Sequence, residues 1–196
     1  MSGLQNRMTK DIILEIYKDS GTVYRFNDIA MLVGETDFQS LNKKLNKFVH
    51  VGKLLNPRKG IYAKSNFNPE ELACILYTPS YISLEYVLQK AGVIFQYDSR
   101  ITTISYLSRE IEVGSQTYSY RKIKGEIFIE PMGIIRKDPH INIASPERAF
   151  LDTLYLNKDY YFDNLHPLNH ELVYKLLPVY KSKAMIVRVT KLLEND

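Results

Sequence analysis

Gln39, Asn42, Lys43, Asn46 and Lys47 recur at the spacing that gathers residues on one side of a helix, with Lys44 at the margin of the same stripe. Asparagine and glutamine amides make paired hydrogen bonds to adenine, and lysine contacts guanine edges or phosphates. A stripe that mixes the two can read bases while it attracts the backbone. An ordinary solvated helix face has the same make-up, and periodicity alone leaves both readings open. Soon after it, NPRKGIYAK (Asn56 to Lys64) is a turn signal with two adjacent cations, followed by a short apolar run. It has three readings: a surface hairpin, a glycine loop that holds a phosphate, or a hairpin laid against DNA. A phosphate loop needs G-x-x-x-x-G-K-[ST] running into a helix. Here a single glycine runs into Ile61-Tyr62-Ala63, which reads as a strand, so the hairpin readings fit better. Lys53, Arg58 and Lys59 are expected to cluster near its turn.

Elsewhere the residue types that carry chemistry are sparse. His166 and His170 are four apart in HPLNH, a metal-binding spacing on a helix, but Pro167 reads as a helix start and the glutamate of H-E-x-x-H is missing. Cys74 lies in the apolar run LACILY and reads as a packing residue. Glu110 and Glu112 share one face of a strand-like run, either as a carboxylate pair or as a charged edge that resists aggregation. Arg148 and Asp152 are expected to pair on an exposed helix flank, a contribution of about 0.2–0.5 kcal/mol. The 15 tyrosines read as core and interface packing, with basic interleaving only around Ser119 to Lys124. There is no G-x-S-x-G elbow and no dinucleotide fingerprint. No catalytic group, metal site or cofactor is expected.

Charge points to a polyanionic partner for one part of the chain. Residues 1–66 carry 11 Lys/Arg against 6 Asp/Glu, a net +5, whereas residues 67–196 carry 15 against 16, a net −1. A basic but merely solvated surface is the alternative. The longest apolar run, Leu72 to Tyr77, falls far short of the roughly 20 residues a membrane helix needs, and no apolar signal-peptide region opens the chain. One cysteine rules out an internal disulfide and suits a reducing interior. A cytoplasmic protein without membrane attachment is expected.

The elements that must hold the stripe and the hairpin are legible from local signals. Met8, Ile12, Ile13, Ile16 and Tyr17 recur with helical period, Thr9 is placed to cap them, and Gly21 follows the end. Thr22 to Phe26 is β-like, and Asn27 is placed to cap a two-turn helix with Ile29, Ala30, Leu32 and Val33 inward. Thr36 and Gln39 have capping-box spacing for a third helix, with Phe38, Leu41, Leu45, Phe48 and Val49 on its inner face and Gly52 at its end. Two short strands around Pro57-Arg58-Lys59-Gly60 complete the series. This order is the layout of a winged helix-turn-helix, expected over residues 1–66 with the polar stripe on its third helix and the hairpin as its wing. Ser65 to Glu71 reads as a boundary.

Residues 67–196 read as a mixed α+β domain. Helices are expected over PEELACILY, over LEYVLQKAG with Ser83 as cap, and over SPERAFLDTLYL with Ser145 as cap and Pro146 first. ITTISYL, REIEVG, QTYSYRKIKG, EIFIEP, GIIRK and INIAS read as strands, and two helical patterns lie around Glu171–Leu177 and Lys183–Leu193. The fold class expected of the chain is α+β.

KGIYA, PSYISLEYVLQKAGVI, ITTIS and ASPERAFLDTLYL, in that order and separation, resemble the AbiEi family of antitoxins and transcriptional regulators. The resemblance implies a phage-defence toxin–antitoxin system, with the chain encoded beside an AbiEii-type, nucleotidyltransferase-like toxin. It implies that the N-terminal winged helix binds inverted repeats in its own promoter and represses the operon, while the C-terminal domain counteracts the toxin. By their place in the motif, Lys43, Lys44, Lys47, Arg58 and Lys59 match the family's basic recognition-helix and wing positions. A base-reading role for Gln39, Asn42 and Asn46 rests on their chemistry instead. The final stretch, KSKAMIVRVTKLLEND, matches no motif of the family. The expected partners are operator DNA and the cognate toxin, met by a monomer or weak dimer. The other function class the sequence leaves open is a winged-helix docking module that binds protein and no DNA.

Overall fold

The computed structural model describes residues 11–194. Its helices and strands are interleaved in an α+β architecture that packs as two compact units, Met1–Asn68 and Pro69–Asp196.

In the first unit the elements run α1 (Ile12–Lys18), β1 (Val23–Arg25), α2 (Phe26–Val33), α3 (Phe38–His50), β2 (Leu55–Arg58) and β3 (Ile61–Ala63). β3 lies between β1 and β2 in an antiparallel sheet, with Val23 opposite Ala63 and Arg25 opposite Ile61. The helices converge on one core that includes Ile16, Ile29, Leu41, Leu45 and Tyr62. Burial of each Leu or Ile contributes about 1.5–3 kcal/mol, so Leu41 and Leu45 fix which side of α3 is turned outward.

The helix caps differ from those the local pattern suggests. Asp11 caps α1, its carboxylate accepting the Ile13 N–H at 3.1 Å, while Met8 and Thr9 lie outside the described residues. α2 begins at Phe26, so Asn27 falls in its first turn, and the Asp28 carboxylate accepts the Arg25 N–H at 2.9 Å. Asp37 caps α3 by accepting the Ser40 N–H at 3.0 Å, in place of the expected box between Thr36 and Gln39. Carboxylates suit this role because the helix N-terminus is electropositive. α3 ends in a Schellman turn: Gly52, at φ +72°, lets the Lys53 N–H reach the Phe48 carbonyl at 2.8 Å and its own N–H reach Val49 at 3.1 Å.

The second unit comprises α4 (Pro69–Leu76), β4 (Ser80–Ile82), α5 (Glu85–Lys90), β5 (Ile101–Ser105), β6 (Arg109–Val113), β7 (Gln116–Lys122), α6 (Gly125–Phe128), β8 (Ile134–Asp138), β9 (Ile141–Ala144), α7 (Pro146–Leu156), α8 (His170–Leu176), a 3-10 turn (Leu177–Tyr180) and α9 (Lys183–Glu194). Its mixed sheet has the order β6-β7-β5-β4-β9-β8, with β5–β7 and β4–β9 parallel. Alternation along the strands sends side chains to two helical layers. Ser80 Oγ and Tyr120 Oη donate to the carbonyls of Cys74 and Ala73 in α4. On the other face, Tyr81 and Ser83 reach α7.

Arg148 and Asp152 of α7 are both 0% exposed, with Nε and Oδ1 3.3 Å apart. This overturns the expectation of a surface pair. The Arg148 guanidinium donates to the carbonyls of Ile127 (2.7 Å), Met132 (2.8 Å) and Glu130 (3.3 Å). The Asp152 carboxylate accepts the hydroxyls of Tyr180 (2.6 Å), Ser83 (2.8 Å) and Tyr81 (3.1 Å). Burial pushes the Asp152 carboxyl up, against the pull of Arg148 and these hydroxyls. Buried charges are tolerated only when their hydrogen-bonding capacity is used, and that demand accounts for two departures from the local pattern. The stretch EIFIEP is rich in β-formers, yet Gly125–Phe128 closes into the short helix α6, and the Ile127 carbonyl accepts from Arg148. Ser83 does not cap α5, because its hydroxyl serves Asp152; Thr102 Oγ1 on β5 accepts the Tyr86 N–H at 3.0 Å instead.

Other sequence-level candidates also find their places. His170 opens α8 behind its cap Asn169 while His166 lies in the preceding turn, so the pair does not share a helix. Glu110 and Glu112 lie on the edge strand β6, with Glu110 3.3 Å from Arg100. Cys74 is buried, which pushes its thiol up to about 11. No helix among the described residues is long and apolar enough to cross a membrane.

Candidate nucleic-acid interface

With Leu41 and Leu45 turned inward, α3 leaves Gln39, Asn42, Lys43, Lys44, Asn46 and Lys47 exposed. The fold then sorts these residues by chemistry. Gln39, Asn42 and Asn46 line an open groove of about 510 Å³ together with the hairpin residues Asn56 and Lys59. Lys43 and Lys47 lie outside that lining, about a quarter-turn further round the helix at 3.6 residues per turn. The expected mixed stripe is therefore a neutral amide wall with an ammonium flank.

Lys44 turns away from both. Its Nζ is 3.4 Å from Glu35 Oε2, and Glu35 Oε1 accepts the N–H groups of Thr36 and Asp37 at 3.1 Å each. The Asp37 N–H, with Lys44 and Thr36, holds the Glu35 carboxyl below its ordinary range.

The hairpin is shaped by a register shift between Leu55 and Arg58, which β2 accommodates as an irregularity against β3. Asn56 spans it, its Nδ2 donating to the carbonyls of Ile61 (2.7 Å) and Arg58 (3.0 Å). Pro57 stands in β2 and the turn is Lys59–Gly60, not the longer Pro57–Gly60 stretch. The Phe26 N–H donates to the Gly60 carbonyl at 2.9 Å and so ties the tip to the start of α2. Arg58 and Lys59 are exposed at this tip. Lys53 is exposed as well, but the Schellman turn holds it at the base of the hairpin, where Tyr17 Oη donates to its carbonyl at 2.9 Å. The expected cluster of three cations near the turn is thus two at the tip and one at the base.

Three neighbours of the groove carry no sequence signal for their place in it. Phe38, placed inward by periodicity, is 56% exposed, because the first residue of α3 lies beyond the edge of the core. Its ring stands edge-on to Phe26, centroids 5.9 Å apart at 74°. Tyr62 Oη, from the buried strand β3, lies 3.5 Å from Asn42 Oδ1. Asn56 gives no local signal of its bridging role.

No group of three or more potential metal ligands occurs among the described residues. The second unit holds a further charged cluster, in which Glu70 accepts from Lys90 (2.7 Å), Tyr86 Oη (2.8 Å) and Lys137 (3.1 Å). Burial alone would raise the Glu70 carboxyl, but these three donors hold it down at about 2.

No family model and no curated protein matches the chain. Among solved structures, the crystal structure of the RV2827C protein from Mycobacterium tuberculosis is similar at 14% identity, with a TM-score of 0.53 over 93% of this chain and 75% of that one. The likeness is one of fold.

Proposed function

We propose that the first unit is a winged helix-turn-helix that binds duplex DNA, with α3 in the major groove and the β2–β3 hairpin on the flanking backbone. The observation that carries this reading is the outer face of α3: base-competent amides toward the hairpin, Lys43 and Lys47 on the adjoining flank, and Arg58 and Lys59 at the tip. Joined to the resemblance to AbiEi antitoxins, it gives a fuller role. The chain represses its own operon at inverted repeats, and residues 69–196 counteract a nucleotidyltransferase-like toxin.

The test is a gel-shift series with the full chain on the duplex upstream of its own gene and on scrambled duplexes. Four phosphate contacts give a slope of log K against log salt of about −3.6, with preference for the upstream duplex. Binding that is absent at low salt, or that shows neither salt dependence nor preference, overturns the reading. Co-expression with an adjacent nucleotidyltransferase-like toxin is expected to restore growth, and failure to do so removes the antitoxin role alone.

One observation favours a second reading, a protein-docking module. Met31 and Phe38, both exposed, line a shallow dip at the α2–α3 corner. Duplex binding with the stated salt slope decides against it.

A further inference from the structure

The exposed phenyl of Phe38 is an anomaly for a residue at an apolar helical position. It packs in a T-shaped arrangement with Phe26 and stays 56% exposed, at the first position of α3 and directly before Gln39. In a helix that enters the major groove, residues near the N-terminus reach base edges. Of the four bases, thymine alone presents a methyl group there, and apolar side chains, Phe among them, recognise it. The amides beside Phe38 in the same groove, Gln39, Asn42 and Asn46, suit the N6 and N7 edge of adenine. An A·T pair offers both partners at once, an adenine edge to the amides and a methyl to the ring. A G·C pair offers neither.

We infer that Phe38 is a specificity-determining residue that packs on a thymine C5-methyl, so that the DNA chosen by α3 is A·T-rich where the helix enters the groove. This rests on the DNA-binding reading above and sharpens it to a base composition and one chemical group. Phe38 supplies discrimination, whereas Lys43, Lys47, Arg58 and Lys59 supply attraction that is blind to sequence.

The experiment begins with selection of tight duplexes from a random pool by the full chain, followed by replacement of each selected thymine, one at a time, with deoxyuridine. Uracil pairs as thymine does and lacks only the methyl. The selected half-sites are expected to be A·T-rich. One thymine in each should lower wild-type affinity about fourfold when its methyl is removed, the loss expected when one methyl is no longer there to be buried. Phe38→Ala should bind the thymine and uracil duplexes alike at that position, with the wild-type salt slope, because no charge is altered. Phe38→Leu, which keeps an apolar side chain on Phe26, should retain part of the methyl preference. The inference is overturned if no thymine is methyl-sensitive in wild type, or if Phe38→Ala keeps the same sensitivity. Wild-type protein that binds no duplex at low salt overturns the DNA-binding reading itself, a result distinct from binding without methyl preference.

Discussion

Ser83 and Asp152, 69 residues apart, share a hydrogen bond of 2.8 Å inside the second unit. It joins two of the segments that carry the family resemblance, PSYISLEYVLQKAG and SPERAFLDTLYL. These segments meet in a closed polar core where Arg148 is held by backbone carbonyls and Asp152 by three hydroxyls. Asp152→Ala is expected to destabilise the protein by about 3–5 kcal/mol, because it strands a buried guanidinium. Ser83→Ala should cost about 1–3 kcal/mol. Replacing both members, as Arg148→Met with Asp152→Leu, should not recover the loss, because the carbonyls and hydroxyls that the pair satisfies would be left buried without partners. Urea unfolding of the three variants checks this, and a cost near 0.5 kcal/mol for Asp152→Ala would mean the pair is solvated.

Gly133 is constrained twice over. Its φ is +78°, and a Cβ there would stand 2.9 Å from Arg148 Cβ and 3.1 Å from Leu176 Cδ1. Gly133→Ala therefore combines left-handed strain of roughly 1–2 kcal/mol with overpacking of about 1–3 kcal/mol. A substantial fall in Tm is expected, read by calorimetry, and unchanged stability would rule out the close approach to α7.

Glu70 makes stability depend on acid. Its folded carboxyl sits at about 2 against an ordinary 4.5, so its contribution is present above that ordinary value and is lost as pH falls toward 2. Lys90 and Lys137 are more than half exposed, and their screening limits the effect to about 1–2 kcal/mol. Glu70→Gln should flatten the stability profile between pH 4.5 and 2 relative to wild type. Parallel profiles would assign the acid dependence to other carboxylates.

The lysines of α3 should not be equivalent on DNA. Lys43→Ala with Lys47→Ala is expected to weaken binding to all sequences and to reduce the salt slope by about 1.8, or 0.9 per contact. Lys44→Ala should change it less, because Lys44 is paired with Glu35. Glu35→Gln releases Lys44 and should strengthen binding. Equal effects of Lys43→Ala and Lys44→Ala in salt titrations would contradict the sorting of α3.

Asn42→Ala and Asn46→Ala should act differently from the lysines. Each removes an amide from the groove without altering charge, so the expected change is about 1–3 kcal/mol of discrimination at particular base pairs, with the salt slope unchanged. Selection from a random pool with each variant reads this directly. A uniform loss across sequences would make the amides backbone contacts.

Much of this was legible because some signals are local. Ser145 and Pro146 start α7 as their types imply, and Leu41 and Leu45 orient α3 by period alone. What escaped was decided by distant partners. Asp152 reads as surface until Ser83, Tyr81 and Tyr180 are brought around it, and EIFIEP reads as strand until Arg148 binds the Ile127 carbonyl. In the interface, the polar types of Gln39, Asn42 and Asn46 were visible. The exposure of Phe38 was not, because periodicity reports direction around a helix and is silent on where the core ends along it. Lys53 departs from the local pattern for a related reason: its nearness in sequence to the turn is outweighed by its role in the stop of α3.

The six-stranded sheet ends in β6 and β8, and both edges carry charge, through Arg109, Glu110 and Glu112 on one and Arg136, Lys137 and Asp138 on the other. β8 is irregular as well, its register shifting between Arg136 and Asp138. Such borders discourage strand addition from a neighbour. Copies of the chain brought close together would thus meet through side chains and helices, with each sheet closed to its neighbours.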